Sequence, residues 1–184
     1  MGRGAQGVLV TRDMHSYTAR YMKTPCLYIE TSVFGFCFDE EPHNRNKREA
    51  TTVLFEQIRQ GLLRGCVSEL VLRELQETGD PELREQLHEL TTELDELPIR
   101  MESDVEVLSR LYMDRGAIPP GKIDDAVHVA IVVTNPEVDV LVSWNCRHIV
   151  NTNVKKKVRA LTEEAGYTFD FEVATPEEVI LYEV

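Results

Sequence analysis

Three carboxylates and one amide stand where they could hold a divalent cation. Glu30 follows the apolar run Cys26–Ile29, Glu74 lies in "SELVLREL", Asp125 opens the apolar stretch "IDDAVHVAIVV", and Asn145 lies in "SWNC". Carboxylates that lie close together repel one another unless one is protonated or a cation lies among them. Carboxylate and amide oxygens favour Mg²⁺ or Mn²⁺ over zinc. The pattern predicts an acidic metal site that activates a water against a phosphodiester.

Each of these residues also has an ordinary structural role to be weighed. Asp125 and its neighbour Asp124 could be first-turn acids, which the helix dipole favours. Glu74 could be one of many solvated glutamates in an acidic part of the chain, and Asn145 suits a turn. Glu30 is the hardest to explain in this way, because an acid that ends a buried strand must have a partner.

An alternation of strand and helix patterns must position these residues. Short apolar segments predict strands at 26–29, 66–67, 97–101, 138–142 and 169–173. Periodic segments predict helices at 47–60, 69–77, 81–94, 103–115, 123–133 and 154–165, and a short last helix from Pro176. Ser103 is expected to cap its helix, with Glu106 completing a capping box. The prediction is an α/β protein, a three-layer α/β/α sandwich on a mostly parallel sheet of four to five strands.

In such a sheet, ligands bind beyond the carboxyl ends of the strands. Glu30 and Asn145 directly follow two of the predicted strands. Asp125 opens a helix so apolar that it must be buried along most of its length, which brings its start to the same edge. We therefore expect the candidate ligands to meet in one crevice.

Length and composition describe one domain. Of 184 residues, 42% are hydrophobic and 28% are charged, as in ordinary globular proteins. Residues 1–24 are expected to form a flexible lead-in and residues 25–184 a single domain. No apolar run suits a membrane span or a secretory signal. The four cysteines include no CxxC pair, which argues against disulfides and zinc and predicts a cytoplasmic protein.

The net charge of −12 argues against a general binder of polyanions. Residues 141–162 nevertheless contain no acid. The basic residues there, which are Arg147, Lys155, Lys156, Lys157 and Arg159, are candidates for contact with a phosphate backbone. The alternative is a solvated helix face. Trp144 could stack on a base or pack in the core. His128 is expected on the packed face of its helix, where it could also orient a carboxylate.

Four segments together resemble the motifs of PIN-domain proteins. They are "YIETSVFG", "SELVLREL", "DDAVHVA" and "LVSWNCRHIVN", and they match in order and spacing between about residues 26 and 180. That family includes the VapC-like toxin ribonucleases of type II toxin–antitoxin systems. The resemblance implies an α/β/α fold and a Mg²⁺- or Mn²⁺-dependent endoribonuclease. It matches Glu30, Glu74 and Asp125 to metal ligands and Asn145 to a fourth polar position.

The resemblance also implies an RNA substrate, a small antitoxin that covers the crevice, and a homodimer. Thr31, Ser32, Asp124 and Ser143 adjoin the matched residues and are candidates to hydrogen-bond around the ligands. Two positions depart from the family pattern, because the family usually has Asp at position 30 and often at position 145. These departures favour an alternative, a catalytically weak PIN-fold binding or assembly module. A third interpretation, a small-ligand protein using the same crevice, lacks a Gly-rich phosphate loop.

Overall fold

A computed structural model describes residues 24–97 and 102–182. Its centre is a five-stranded, all-parallel sheet in the order β3-β2-β1-β4-β5. The strands are β1 Cys26–Ile29, β2 Arg64–Ser68, β3 Asp95–Leu97, β4 Val140–Val142 and β5 Glu172–Ala174. The central strand β1 pairs with β2 on one side and β4 on the other. It is buried at every residue, which explains why its sequence is continuously apolar.

Helices cover the sheet and produce the three layers of an α/β/α sandwich. They are α1 Thr31–Gly35, α2 Arg45–Arg59, α3 Glu69–Gln76, α4 Pro81–Thr91, α5 Glu102–Asp114, α6 Ile123–Val133, α7 Thr152–Glu164 and α8 Pro176–Val179. A 3-10 turn at Pro42–Asn44 precedes α2. The predicted α/β class and parallel sheet are confirmed.

Helix α6 is the element that matters most for the site. It has the bounds that its apolar pattern predicted, and seven of its residues from Ala126 onward are buried. Its first turn carries Asp124 and Asp125. Because the helix packs so deeply, its amino end is held at the edge of the sheet where β1 and β4 end.

The third strand differs from its prediction. It was expected at 97–101, but it spans Asp95–Leu97, and residues 98–101 lie outside the described residues. Two acids are tolerated because β3 is an edge strand whose first two side chains are exposed. Asp95 also accepts a hydrogen bond from Arg64 Nε at 2.7 Å, on the neighbouring strand. Pairing with β2, rather than apolar character, defines this strand.

The predicted capping box of α5 is wrong. The helix already includes Glu102, so Ser103 lies inside it and cannot be its cap. Glu106 instead pairs with Arg110, one turn further along the exposed face. The two residues therefore belong to the helix body.

Three predictions about the whole chain meet the structure only in part. The lead-in predicted for residues 1–24 lies outside the described residues except for Thr24. Within the described residues, 24–97 and 102–182, no helix is both long and apolar enough to cross a membrane. All four cysteines are free thiols, and the sulfur atoms of Cys26 and Cys66 lie 3.4 Å apart in the core.

Candidate acidic site at the carboxyl edge of the sheet

Glu30 ends β1 and at once caps helix α1. Its carboxylate accepts hydrogen bonds from the backbone N–H of Ser32 at 3.1 Å and from the Ser32 hydroxyl. A third bond comes from the Ser143 hydroxyl at 2.7 Å, just after β4. A carboxylate offers about four acceptor positions. Three are filled here, so an acid that is only 5% exposed can end a buried strand.

Glu74 lies in the second turn of α3 and is also well partnered. Its Oε2 atom accepts hydrogen bonds from the Thr31 hydroxyl and from His128 Nε2, the latter at 2.9 Å. Burial by itself raises the pKa of Glu74, but the hydrogen bonds from His128 and Thr31 and the nearby guanidinium of Arg73 outweigh it. The resulting pKa lies below the usual value, so the structure favours the charged form.

Asp125 has the opposite environment. Its Oδ1 atom accepts a hydrogen bond from Asn145 Nδ2 at 3.0 Å. Its Oδ2 atom is buried and has no hydrogen-bond partner among the described residues. Burial and the negative charge of Glu30 raise the pKa of Asp125, and the neighbouring side chains of His148 and Lys122 offset only part of the rise. A deprotonated Asp125 is therefore short of a positive partner.

Hydrogen bonds join these acids into one cluster. The Ser143 hydroxyl accepts from the backbone N–H of Asn145 at 2.8 Å and donates to Glu30. His128 Nε2 lies 2.9 Å from Glu74 Oε2 and 4.0 Å from Glu30 Oε1. The four residues predicted as ligands thus come from four separate segments to one edge.

The neighbours of the acids divide into two kinds. Thr31, Ser32 and Ser143 all donate to the carboxylates of the cluster. Asp124 instead points outward. Its side chain is 53% exposed, and its Oδ1 atom lies 4.0 Å from a guanidinium nitrogen of Arg73.

The cluster is not a closed metal cage. Across the described part of the chain, no group of three or more His, Cys, Asp or Glu side chains is arranged to hold a metal ion. Mg²⁺ does not need such a cage, because it usually keeps several waters and binds one or two carboxylates. The donors are oxygens, and one buried carboxylate oxygen of Asp125 lacks a partner. These residues fit an ion that is held partly through water.

No protein-family model matches this sequence. A search of curated proteins finds no match either. What the site can do must be argued from its own side chains.

Sequence reasoning missed two hydroxyl groups that lie behind the acids. The Tyr28 hydroxyl lies 2.8 Å from His128 Nδ1 and 2.7 Å from the Ser68 hydroxyl. A signal was available for Tyr28, because it precedes Glu30 by two residues and side chains at that spacing in a strand share a face. His128 is on the packed face of α6, as predicted, and is 1% exposed.

Three of the five predicted RNA contacts are held by the protein itself. Lys155 Nζ donates to the Val173 carbonyl at 2.9 Å, and Lys157 Nζ donates to the Gly116 carbonyl at 3.0 Å. The guanidinium of Arg159 lies 4.7 Å from the centre of the Phe169 ring. Lys157 and Arg159 are nevertheless exposed, as are Arg147 and Lys156, and the last two make no hydrogen bond or ion pair among the described residues.

Trp144, the residue that could stack on a base, is packed in the core. Trp144 is 7% exposed, and its indole N–H donates to the Thr51 hydroxyl at 2.8 Å. The ring also meets Phe36 edge-on, with 5.8 Å between the ring centres. Packing, rather than base stacking, accounts for Trp144.

Proposed function

We propose that this protein is a Mg²⁺- or Mn²⁺-dependent endoribonuclease that hydrolyses RNA phosphodiester bonds at the acidic edge of the sheet. The observation that carries the proposal is the environment of Asp125. One of its carboxylate oxygens is buried without a partner, and the charge of Glu30 adds to the cost of ionising it. A divalent cation would supply the missing positive charge.

Each candidate ligand has a distinct part in this proposal. Glu30, Glu74 and Asp125 would hold the ion, directly or through water, and Asn145 would orient a water or the ion. A bound Mg²⁺ or Mn²⁺ lowers the pKa of the attacking water and stabilises charge on the phosphate. Asn145 fixes Asp125 Oδ1, so Oδ2 is the open oxygen.

RNA as the substrate is supported by the four segments that resemble PIN-domain motifs. The protein would attract the RNA backbone through exposed cations that follow β4 in the chain rather than through its net charge. Arg147 follows Asn145 by two residues, and Lys156 lies on the exposed face of α7. The same resemblance supports a cytoplasmic toxin that forms a homodimer and pairs with a small antitoxin.

The proposal is tested with purified protein and single-stranded RNA. We expect cleavage with Mn²⁺, none with EDTA, and none for Asp125→Asn in either condition. Asp170→Asn is the matched control, since Asp170 is an exposed loop residue and its substitution removes the same charge. Cleavage by Asp125→Asn at the wild-type rate would refute the assignment of the site.

A second candidate function is a catalytically weak module for binding or assembly. It is favoured by Glu30, whose carboxylate already accepts three hydrogen bonds. Calorimetry separates the two functions, because the nuclease must bind Mn²⁺ and the module need not. Absence of Mn²⁺ binding at millimolar concentration would favour the module.

A further inference from the structure

A buried chain of hydrogen bonds runs from the core to the carboxylate of Glu74. It begins at the Ser68 hydroxyl, passes through the Tyr28 hydroxyl and the ring of His128, and ends at Glu74 Oε2, with successive distances of 2.7, 2.8 and 2.9 Å. Ser68, Tyr28 and His128 are at most 1% exposed. The chain links β1, β2 and α6 to the site.

We propose that His128 is a positioning residue of this site, with its hydrogen on Nε2 toward Glu74 and its ring held in place by Tyr28 and Ser68. In this arrangement the ring holds Glu74 Oε2 and leaves Oε1 to face a ligand. The consequence for a metal rests on the proposed function. The tautomer itself is a property of the protein without metal.

The direction of each hydrogen bond follows from what each group can donate. An ionised carboxylate only accepts, so the hydrogen between His128 and Glu74 is on Nε2. The Nδ1 atom of an uncharged ring then accepts, and Tyr28 donates to it. The hydroxyl of Ser68 in turn donates to the oxygen of Tyr28. Every polar hydrogen in the chain then has an acceptor.

The Tyr28 hydroxyl is held from both sides. It lies 2.7 Å from the Ser68 hydroxyl and 2.8 Å from His128 Nδ1, and leaving a buried polar group unsatisfied is unfavourable. The ring of His128 therefore keeps the orientation in which Nδ1 meets Tyr28 and Nε2 meets Glu74.

The orientation of the His128 ring determines which oxygen of Glu74 remains available. Two donors, Thr31 and His128, hold the same oxygen, Oε2, and no described hydrogen bond uses Oε1. Groups that orient a metal ligand in this way typically change metal affinity by about 10- to 100-fold when they are removed. Loss of the Tyr28 hydroxyl should therefore weaken Mn²⁺ binding by roughly tenfold, the lower end of that range.

The test compares Tyr28→Phe with Tyr112→Phe. Tyr112 is an equally buried tyrosine whose hydroxyl lies 2.7 Å from that of Thr162, outside the acidic cluster. Nitrogen-15 NMR of the metal-free protein should show His128 protonated on Nε2 alone in the wild type and in Tyr112→Phe. In Tyr28→Phe the Nδ1 resonance should shift, because that nitrogen loses its hydrogen-bond donor, while the hydrogen stays on Nε2. Mn²⁺ calorimetry should show weaker binding only for Tyr28→Phe, although both variants lose buried hydrogen bonds, two at Tyr28 and one at Tyr112.

A wild-type spectrum with hydrogen on Nδ1 overturns the inference, and so does equal weakening of Mn²⁺ binding in the two variants. The wild-type spectrum decides the tautomer even if Tyr28→Phe does not fold. If the wild type binds no Mn²⁺, the proposed function fails. The NMR comparison then still decides whether Tyr28 fixes the ring.

Discussion

Replacing Asp125 with asparagine should make the metal-free protein more stable, although the residue belongs to the proposed metal site. The substitution removes a negative charge that burial and Glu30 disfavour. The amide oxygen of the new side chain can still accept the hydrogen bond from Asn145. An unpartnered buried polar group costs about 1–3 kcal/mol. Asp125 is only half-buried, and the NH₂ group that takes the place of Oδ2 has no described partner either, which offsets part of the gain. We therefore expect the free energy of unfolding to rise by about 1 kcal/mol, near the lower limit of that range.

The assay is thermal unfolding with and without Mn²⁺. For a domain of this size, about 1 kcal/mol raises Tm by roughly 2–4 °C. Mn²⁺ at 100 times its Kd should stabilise the wild type by about 2.7 kcal/mol and leave Asp125→Asn unchanged. Asp125→Asn should therefore have the higher Tm without Mn²⁺, and the wild type should have the higher Tm when Mn²⁺ is added.

The gain should also depend on pH. The pKa of Asp125 is raised, so the native state binds this proton more tightly than the unfolded chain does. The contribution of protonated Asp125 to stability is full below the ordinary aspartate pKa of about 3.9, and it is lost as pH rises through the raised pKa of the folded protein. The advantage of Asp125→Asn should be absent at the acid end of this window and should grow with pH until it levels off.

Asp124→Asn is the matched control, because it removes the same charge from the same helical turn. Asp124 is exposed and loses only a weak contact with Arg73 and the attraction of the helix end. Its Tm should stay level or fall slightly. Equal changes of Tm in the two variants would refute the argument that crowding of buried charge at Asp125 creates the demand for a cation.

Three further outcomes are expected. Glu74→Gln should destabilise the protein by roughly 1 kcal/mol at pH 7 in urea unfolding. Since the pKa of Glu74 is lowered, its contribution is present above about pH 4.3 and is lost as pH falls through the lowered value, so a loss that does not shrink in acid would contradict the assignment. Arg147→Ala and Lys156→Ala should each weaken RNA binding and reduce the slope of log affinity against log salt by about 0.7, as measured by fluorescence anisotropy, and unchanged slopes would exclude these contacts. Glu30→Gln should weaken Mn²⁺ binding more than Glu30→Asp in calorimetry, because Asp keeps the charge although it draws back from Ser143; the reverse order would show that reach matters more than charge.

The sequence predicted best those elements whose pattern depends on their own residues. Helix α6 and strand β1 have their predicted bounds because continuous burial makes them apolar throughout. Strand β3 was misplaced because it exists through pairing with β2, and its exposed acids Asp95 and Glu96 hide it. Local pattern cannot reveal an edge strand of that kind.

The same distinction separates the predicted and the missed parts of the site. Glu30 and Asn145 could be found because they follow strands, and that position alone sends them to the carboxyl edge. The role of Tyr28 depends on Ser68, 40 residues away, and on His128, 100 residues away. Apart from its position two residues before Glu30, Tyr28 looks in the sequence like one more apolar residue of a buried strand.

The three acids of the cluster receive unequal support from the fold. The carboxylate of Glu30 caps α1 and also meets Ser143 beyond β4. Glu30 and Glu74 are thereby satisfied by hydrogen-bond donors of the fold. Asp125 alone is left short of a partner, and the charge of Glu30 makes that shortage worse. The demand for a cation is thus concentrated on one oxygen, Oδ2 of Asp125.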